Sequence, residues 1–162
     1  MSPRLRRSIA ITFSTGPRRS KRPKRRSEIL GRGPPHLVAE RAGCVVGFSY
    51  ASLYRTRSAY RFTVEDSIYI DQAEFGRGNG RALLGTLVEV CAKLGYRQMV
   101  AVIGGSDQWP SIVLHRALGF SWVGLLPAVG AKFGRWVDVA LMQRALGSGA
   151  TTMPTGSGGD HG

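Results

Sequence analysis

The chain has 162 residues, of which 43% are hydrophobic, and a formal net charge of +13. This length suits one domain with a sizeable core. No apolar run approaches the roughly 18 residues that a membrane span needs, which excludes a membrane-spanning protein and favours a cytoplasmic one. The two cysteines, Cys44 and Cys91, have neither disulfide-framework nor metal-ligand spacing. We therefore predict two core thiols and no metal site.

The positive charge is concentrated at the N-terminus. Residues 1–32 contain eleven Arg and Lys against one acidic residue, whereas the rest of the chain contains twelve basic and nine acidic side chains. This composition is typical of a disordered, solvated tail. A transit peptide, or an arm that binds nucleic acid without sequence preference, is the alternative. Nucleic acid is thus expected as a partner only non-specifically, through residues 1–32.

Gly and Pro residues at 31–35 interrupt regular structure and predict a domain boundary. We expect a basic, disordered segment over residues 1–35 and a folded domain over 36–147. Gly, Ser, Thr and Pro dominate the remainder, which favours a disordered tail over 148–162.

Eight segments show the hydrophobic pattern of a strand or a helix. They run strand, strand, strand, helix, strand, helix, strand, strand, over residues 37–40, 44–51, 61–70, 83–94, 98–103, 111–118, 122–128 and 136–146. The first helix ends at Gly95, and the second is entered through Pro110 and closed by Gly119. Residues 130–135 are expected to connect the last two strands. This order predicts a mixed α/β sheet with helices packed on it.

A Gly-rich turn between the third strand and the first helix is the most informative segment. It reads Gly76-Arg77-Gly78-Asn79-Gly80-Arg81. Glycines let backbone N–H groups approach a ligand closely, and a helix N-terminus adds unpaired donors and the positive end of a dipole. The pattern favours a pyrophosphate site, although Gly-rich turns also serve packing alone. Neither the dinucleotide pattern G-x-G-x-x-G nor the Gly-Lys-Ser/Thr of a P-loop is present.

Five segments in this order resemble the phosphinothricin acetyltransferases of the GNAT superfamily. They are YRFTVEDSIYI at 60–70, GRGNGRALL at 76–84, AVIG at 101–104, SIVLHRALGF at 111–120 and KFGRWVD at 132–138. The resemblance implies the GNAT fold, a mixed, mostly antiparallel sheet flanked by helices. It also implies an enzyme, an N-acetyltransferase that uses acetyl-CoA as co-substrate and needs no metal. The implied acceptor is the amino group of a small amino-acid-like molecule, such as phosphinothricin or methionine sulfoximine.

The resemblance assigns acetyl-CoA to the third strand and the Gly-rich turn. The strand backbone would carry the pantetheine and supply an N–H to the oxyanion. The implied cofactor-binding residues are Ile68, Tyr69, Ile70, Gly76, Arg77, Gly78, Asn79, Gly80, Arg81 and Gln108. Phe75 occupies the position where the superfamily usually has Arg or Gln, which removes one side-chain contact. Gln108 stands where relatives often have an Asn that touches the cofactor.

Acetyl transfer requires that the amine lose a proton, that an oxyanion be stabilised and that the CoA thiolate be protonated or tolerated. Glu65 and His115 match the catalytic pair of the family. The resemblance implies that Glu65 accepts the ammonium proton and that His115 faces the thioester sulfur as acid or base. Taken alone, a strand Glu is usually a solvated charge and a helix His a packed side chain. Lys132, Arg135 and Trp136 match a segment that lines the acceptor site in relatives, although such connections are often only exposed.

Relatives begin with a strand and two helices that flank the acceptor site, and before Leu37 only residues 27–36 resemble any of these, as the end of the second helix. We therefore expect an uncovered sheet edge and an open acceptor pocket. One alternative function is N-acetylation of a protein N-terminus or a polyamine. The other is a truncated, weakly active acetyl-CoA-binding protein with a basic arm that associates with nucleic acid. Relatives commonly form homodimers, so a homodimer is also implied.

Overall fold

The computed structural model describes residues 10–14, 33–105 and 108–154. Within them the strands are β1 (Ala10–Ser14), β2 (His36–Arg41), β3 (Cys44–Leu53), β4 (Thr63–Ile70), β5 (Gln98–Gly104), β6 (Ser121–Lys132) and β7 (Arg135–Ala145), and the α-helices are α1 (Asn79–Lys93) and α2 (Gln108–Ala117). The strands form one sheet in the order β1-β2-β3-β4-β5-β7-β6. Every pair is antiparallel except β4 and β5. The predicted mixed, mostly antiparallel sheet is confirmed.

The first strand lies where the sequence predicts no regular structure. β1 pairs with β2 from Ala10 opposite Glu40 to Ser14 opposite His36, and Ile11 packs against the core. The expectation of a missing first strand is therefore wrong, and β2 is an inner strand rather than an uncovered edge. A five-residue run is too short to be recognised by pattern alone, and pairing with β2 stabilises it. The two helices of relatives would fall within residues 15–32, which lie outside the described residues, as does most of the proposed basic arm.

A gap in the sheet opens between the C-terminal ends of β4 and β5. A parallel pair needs a crossover connection, which α1 provides. The pairing ends at Asp66 opposite Ala101, although β4 continues to Ile70 and β5 to Gly104. Beyond Asp66 the two strands no longer pair with each other, although β4 remains paired with β3 and β5 with β7.

Both helices pack on the same face of the sheet. Leu83 and Leu87 of α1 are fully buried and belong to one core with apolar side chains of the strands. The helices approach each other closely at Gly80, where a Cβ atom would lie 3.2 Å from Leu114 Cδ2. A glycine at this position thus sets the spacing of α2 from the start of α1. Neither helix of the described residues has the length and apolar character that a membrane crossing requires.

The two cysteines differ in environment. Cys91 is fully buried in α1, as predicted, and burial together with the negative charge of Asp66 raises the pKa of its thiol to about 12. Cys44 is exposed, so the prediction of a core thiol at that position is wrong. It begins β3 directly after the turn from β2.

The C-terminal hairpin is longer than the sequence predicts. β6 continues to Lys132 and β7 begins at Arg135, so the connection is Phe133-Gly134 rather than residues 130–135. Gly134 has φ +71°, which a glycine adopts without strain. Irregular pairing in β6 between Leu126 and Gly130 accommodates residues that otherwise interrupt a strand.

Ordered structure also continues beyond the boundary predicted at residue 148. Arg97 donates hydrogen bonds to the Gly149 carbonyl oxygen and to Thr152 Oγ1, both at 3.1 Å. This long-range contact has no counterpart in the local composition, which is why the sequence favours a disordered tail from Ser148 onward. Residues 155–162 lie outside the described residues.

Candidate active site

The gap between β4 and β5 contains a cavity of about 230 Å³. Its walls are Asp66, Ser67, Ile68 and Tyr69 of β4, Ala101, Val102, Ile103 and Gly104 of β5, and Ser111 and His115 of α2. Thr63 accepts a hydrogen bond from Tyr54 N on the β3 side of β4, with a nitrogen–oxygen distance of 3.1 Å. Backbone groups alternate along a strand, so the N–H groups of residues 68 and 70 point to the β5 side, where the ladder has ended. They are suited to bind a ligand in the gap.

A second, larger cleft of about 820 Å³ continues from this gap. The two share Ile68 and Ser111. The other residues of the cleft are Ile70, Gln72, Glu74, Phe75, Gly76, Gly78, Asn79, Gly80, Arg81, Pro110 and Leu114. β4 and the Gly-rich turn, which the family resemblance assigns to acetyl-CoA, therefore line one continuous groove.

The N-terminus of α1 opens into the cleft with unpaired donors. Gly76 and Gly78 have φ of +73° and +82°, a region that side chains other than glycine rarely occupy. Gly78 provides no side-chain cap, and the first helical hydrogen bond runs from Ala82 N to Gly78 O at 3.0 Å. The N–H groups of residues 79–81 thus have no partner within the helix, and this end of the dipole favours an anion.

A polar cluster behind the turn fixes its shape. Arg41 Nη2 donates to Asn79 Oδ1 at 2.8 Å, and Arg41 Nε lies 3.4 Å from Glu74 Oε2. Asn79 Nδ2 donates in turn to the Glu74 backbone oxygen at 3.2 Å. Asn79 is buried, so only its backbone N–H faces a ligand. Arg77 is exposed and lies 3.8 Å from Glu74 Oε1.

His115 and Asp66 form a buried pair at the wall of the gap. The distance from His115 Nε2 to Asp66 Oδ2 is 2.9 Å, and both side chains are 2% exposed. His115 Nδ1 lies 2.7 Å from the Ser111 carbonyl oxygen. Burial by itself lowers the pKa of His115, but the hydrogen bond and charge of Asp66 and the Ser111 carbonyl outweigh it, so the pKa is raised above 6.5.

Glu65 lies on the other face of the sheet from His115. Neighbouring side chains alternate along a strand, and Asp66 points to α2, so Glu65 points away from the helices. It stands opposite Ser52 of β3. Burial, reinforced by the charge of Asp66 and partly offset by Arg55, raises the pKa of Glu65 above 4.5. The two predicted catalytic residues are not in contact. A ligand in the gap between β4 and β5 would lie between the two faces of the sheet that these residues occupy.

A third cavity, of about 450 Å³, lies between α2 and the C-terminal hairpin. Arg135 and Trp136, two of the residues predicted to bind substrate, line it together with Trp109 of α2. Lys132 does not line it and instead lies over the Phe133 ring, with Nζ 5.1 Å from the ring centroid. Gln108 begins α2, but its side chain lies outside the described residues. Among the described residues no cluster of three or more His, Cys, Asp or Glu could hold a metal ion.

Sequence reasoning missed four residues that shape the site: Asp66, Ser111, Arg41 and Glu74. Asp66 could have been found, since it interrupts the apolar row Val64, Ile68 and Ile70 on one face of β4, and a carboxylate in such a row needs a buried partner. Ser111 acts through its backbone carbonyl, which no side-chain pattern indicates. Arg41 and Glu74 are 33 residues apart, so only the fold brings them together.

The acetyltransferase (GNAT) domain family matches residues 31–141 of this chain. The chain is 51% identical over 128 residues to phosphinothricin N-acetyltransferase of Alcaligenes faecalis. This alignment covers 79% of this chain and 65% of that protein. It is 42% identical over 114 residues to the L-methionine sulfoximine/L-methionine sulfone acetyltransferase of Salmonella typhimurium, covering 70% of this chain and 66% of that enzyme. The chain thus spans slightly less than two thirds of the length of these relatives.

A solved structure agrees with this relationship. The GNAT superfamily phosphinothricin acetyltransferase of Sinorhizobium meliloti, crystallised with AcCoA, is 54% identical and superimposes with a TM-score of 0.74. The match covers 81% of this chain and 71% of that one. The seven-stranded sheet with its gap between parallel strands is accordingly the GNAT fold, as the resemblance implies. The chain belongs to the acetyltransferase (GNAT) domain family.

Proposed function

We propose that this chain is an N-acetyltransferase that moves the acetyl group of acetyl-CoA to the amino group of a small amino-acid-like acceptor, of the phosphinothricin or methionine sulfoximine type. The observation that carries the proposal is the continuous groove formed by the gap and the cleft. It joins free strand N–H groups at one end to an uncapped helix N-terminus at the other. The names of the relatives support both the donor and the acceptor class.

Acetyl-CoA would lie along this groove. The diphosphate is a dianion, and the N–H groups of residues 79–81 with the Arg81 side chain supply donors and positive charge to it. The pantetheine, which carries amide groups, would bond to β4 like an added strand through residues 68 and 70. This orientation brings the thioester to the cavity lined by Tyr69, Ser111 and His115.

The chemical step then divides among three groups. The acceptor amine attacks the thioester carbonyl carbon, and its proton passes to Glu65, directly or through water. A β4 backbone N–H stabilises the resulting oxyanion. As the carbon–sulfur bond breaks, His115 donates a proton to the leaving CoA thiolate. The proton in question is the one on Nε2, because the Nδ1 proton is donated to the Ser111 carbonyl. Nε2 lies 2.9 Å from Asp66 Oδ2, so its proton must leave that hydrogen bond when it passes to the sulfur.

The acceptor would enter from the side of the third cavity. Arg135 and Asp138 both line this cavity, so it presents side chains of both charges to the carboxylate and ammonium groups of an amino-acid-like molecule. Trp109 and Trp136 are exposed and flank it, and they offer apolar area for the remainder of the acceptor.

The test is thiol release from acetyl-CoA by the purified full chain, with phosphinothricin, methionine sulfoximine, a peptide with a free N-terminus and a polyamine as separate acceptors. We expect release above the rate without acceptor for the first two. Release with only the peptide or only the polyamine would replace the proposed acceptor class. Folded protein that neither binds acetyl-CoA by isothermal titration nor releases thiol would contradict the proposal as a whole.

Arg41 is expected to support acetyl-CoA binding from behind the turn. In Arg41→Met the Asn79 amide oxygen loses its donor, and Glu74 keeps only the exposed Arg77 as a positively charged neighbour among the residues of this cluster. We expect the Kd for acetyl-CoA to rise roughly tenfold, the effect of removing one hydrogen bond from a charged donor. Isothermal titration measures it, and Arg57→Met, at an exposed arginine before β4, serves as the matched control. Equal Kd values for the two variants would show that the cluster does not shape the turn.

A further inference from the structure

Asp66 is the buried charge that the proposed reaction leaves without a role. It lies on the helix face of β4 at the last paired position before the gap, and it lines the cavity together with His115. Its Oδ2 faces His115, whereas its Oδ1 is buried without a hydrogen-bond partner among the described residues. A carboxylate in such a place is costly unless its charge is compensated.

The hydrogen bonds of His115 define where its protons are. A backbone carbonyl only accepts, so the 2.7 Å contact with Ser111 requires a proton on Nδ1. The 2.9 Å contact between Nε2 and Asp66 Oδ2 requires one further proton between those two atoms. The ring also packs edge-on against Phe120, with centroids 4.9 Å apart. The imidazole ring therefore cannot flip without breaking its hydrogen bonds to Ser111 and Asp66.

Asp66 is the charged group that partners His115, and the other titratable groups on the elements around His115 do not replace it. From α1, the Cys91 thiol responds to the charge of Asp66 and stays neutral, since its pKa is raised to about 12. Glu65 follows the opposite face of β4, and Asp66 raises its pKa as well. β5 contributes no titratable side chain, and Arg144 of β7 donates to the Leu118 carbonyl beyond the end of α2.

We infer that Asp66 is a positioning residue that holds His115 doubly protonated, with Nε2–H bonded to Asp66 Oδ2 and Nδ1–H to the Ser111 carbonyl, so that the acid at the wall of the gap carries its proton before the thiolate leaves. The inference rests on the proposed function for its consequence, because a CoA thiol has a pKa of roughly 8.5 and is protonated best by an acid that still carries its proton near that pH. An unpartnered imidazole would lose that proton near pH 6.5.

The test begins with the full chain without acetyl-CoA. Long-range ¹H–¹⁵N correlation spectra report the protonation of each imidazole, and three histidines make assignment by His115→Gln practical. We expect the wild-type His115 ring to lose its second proton only above pH 6.5, the ordinary pKa of an imidazole. In Asp66→Asn the amide can donate to Nε2, so we expect a neutral ring with its proton on Nδ1. Glu89→Gln, at an exposed carboxylate of α1, is the control.

Kinetics supply the second readout. In Asp66→Asn we expect kcat to fall by about tenfold or more, the alkaline limb of its pH profile to move to lower pH, and the Kd for acetyl-CoA to stay unchanged. Should Asp66→Asn fail to fold, the wild-type titration decides alone. A wild-type His115 that titrates near 6.5, or a folded Asp66→Asn protein with the wild-type titration, would overturn the inference. If His115 is doubly protonated but the protein releases no thiol, the result would instead count against the transferase proposal.

Discussion

Glu65→Gln is expected to lower kcat for acetyl transfer by about 10²- to 10⁴-fold, the range for loss of a positioned general base. The amide has nearly the same shape as the carboxylate but cannot accept the ammonium proton. Glu65 lies on the face away from α1 and α2 and does not line the cleft proposed to hold acetyl-CoA, so the Kd for acetyl-CoA should not change. Thiol release over a range of acceptor concentrations, with isothermal titration, measures both.

The role of Glu65 as a base also predicts how kcat/KM depends on pH. Burial raises the pKa of Glu65 above 4.5, and the base works only when it is ionised. Wild-type kcat/KM should therefore fall as pH drops through that raised pKa, and Glu65→Gln should lack this acidic limb. Glu89→Gln is again the matched control, since that carboxylate is exposed on α1. A Glu65→Gln protein with wild-type kcat would remove Glu65 from the mechanism.

Asp66→Ala is expected to cost about 3–5 kcal/mol in the free energy of unfolding, the usual effect of removing one partner of a buried ion pair. The substitution leaves His115 Nε2 in the core, 2% exposed, without its acceptor. Urea unfolding followed by circular dichroism measures the loss. Glu89→Ala, which removes an exposed carboxylate, should change the free energy by no more than about 0.5 kcal/mol.

The stability difference should also depend on pH. The folded-state pKa of His115 is raised above its unfolded value of 6.5. Its contribution is therefore fully present below pH 6.5 and is lost as pH rises through the folded-state pKa. The difference in unfolding free energy between wild type and Asp66→Ala should narrow across that alkaline window. A difference below about 1 kcal/mol at pH 6 would mean that the pair does not stabilise the fold.

The sequence predicted the elements whose pattern is local and repeated. α1 was visible because Leu83, Leu84, Leu87 and Cys91 recur at helical spacing, and Gly95 follows its end. The Gly-rich turn was visible because left-handed backbone at Gly76 and Gly78 requires that residue type. β1 was not visible, since a five-residue strand depends on its partner rather than on its own propensity.

What the sequence by itself determined is the order of helices and strands after residue 36 and, through five short segments, the family. The tertiary structure decided which side chains meet. It placed Glu65 and His115 on opposite faces of the sheet and gave His115 a partner, Asp66, 49 residues away. It also made Asn79 a buried support of the turn rather than a side chain facing a ligand. The reason is physical: local periodicity sets which face a residue occupies, whereas hydrogen bonds between distant residues depend on where the sheet opens and how α2 packs against it.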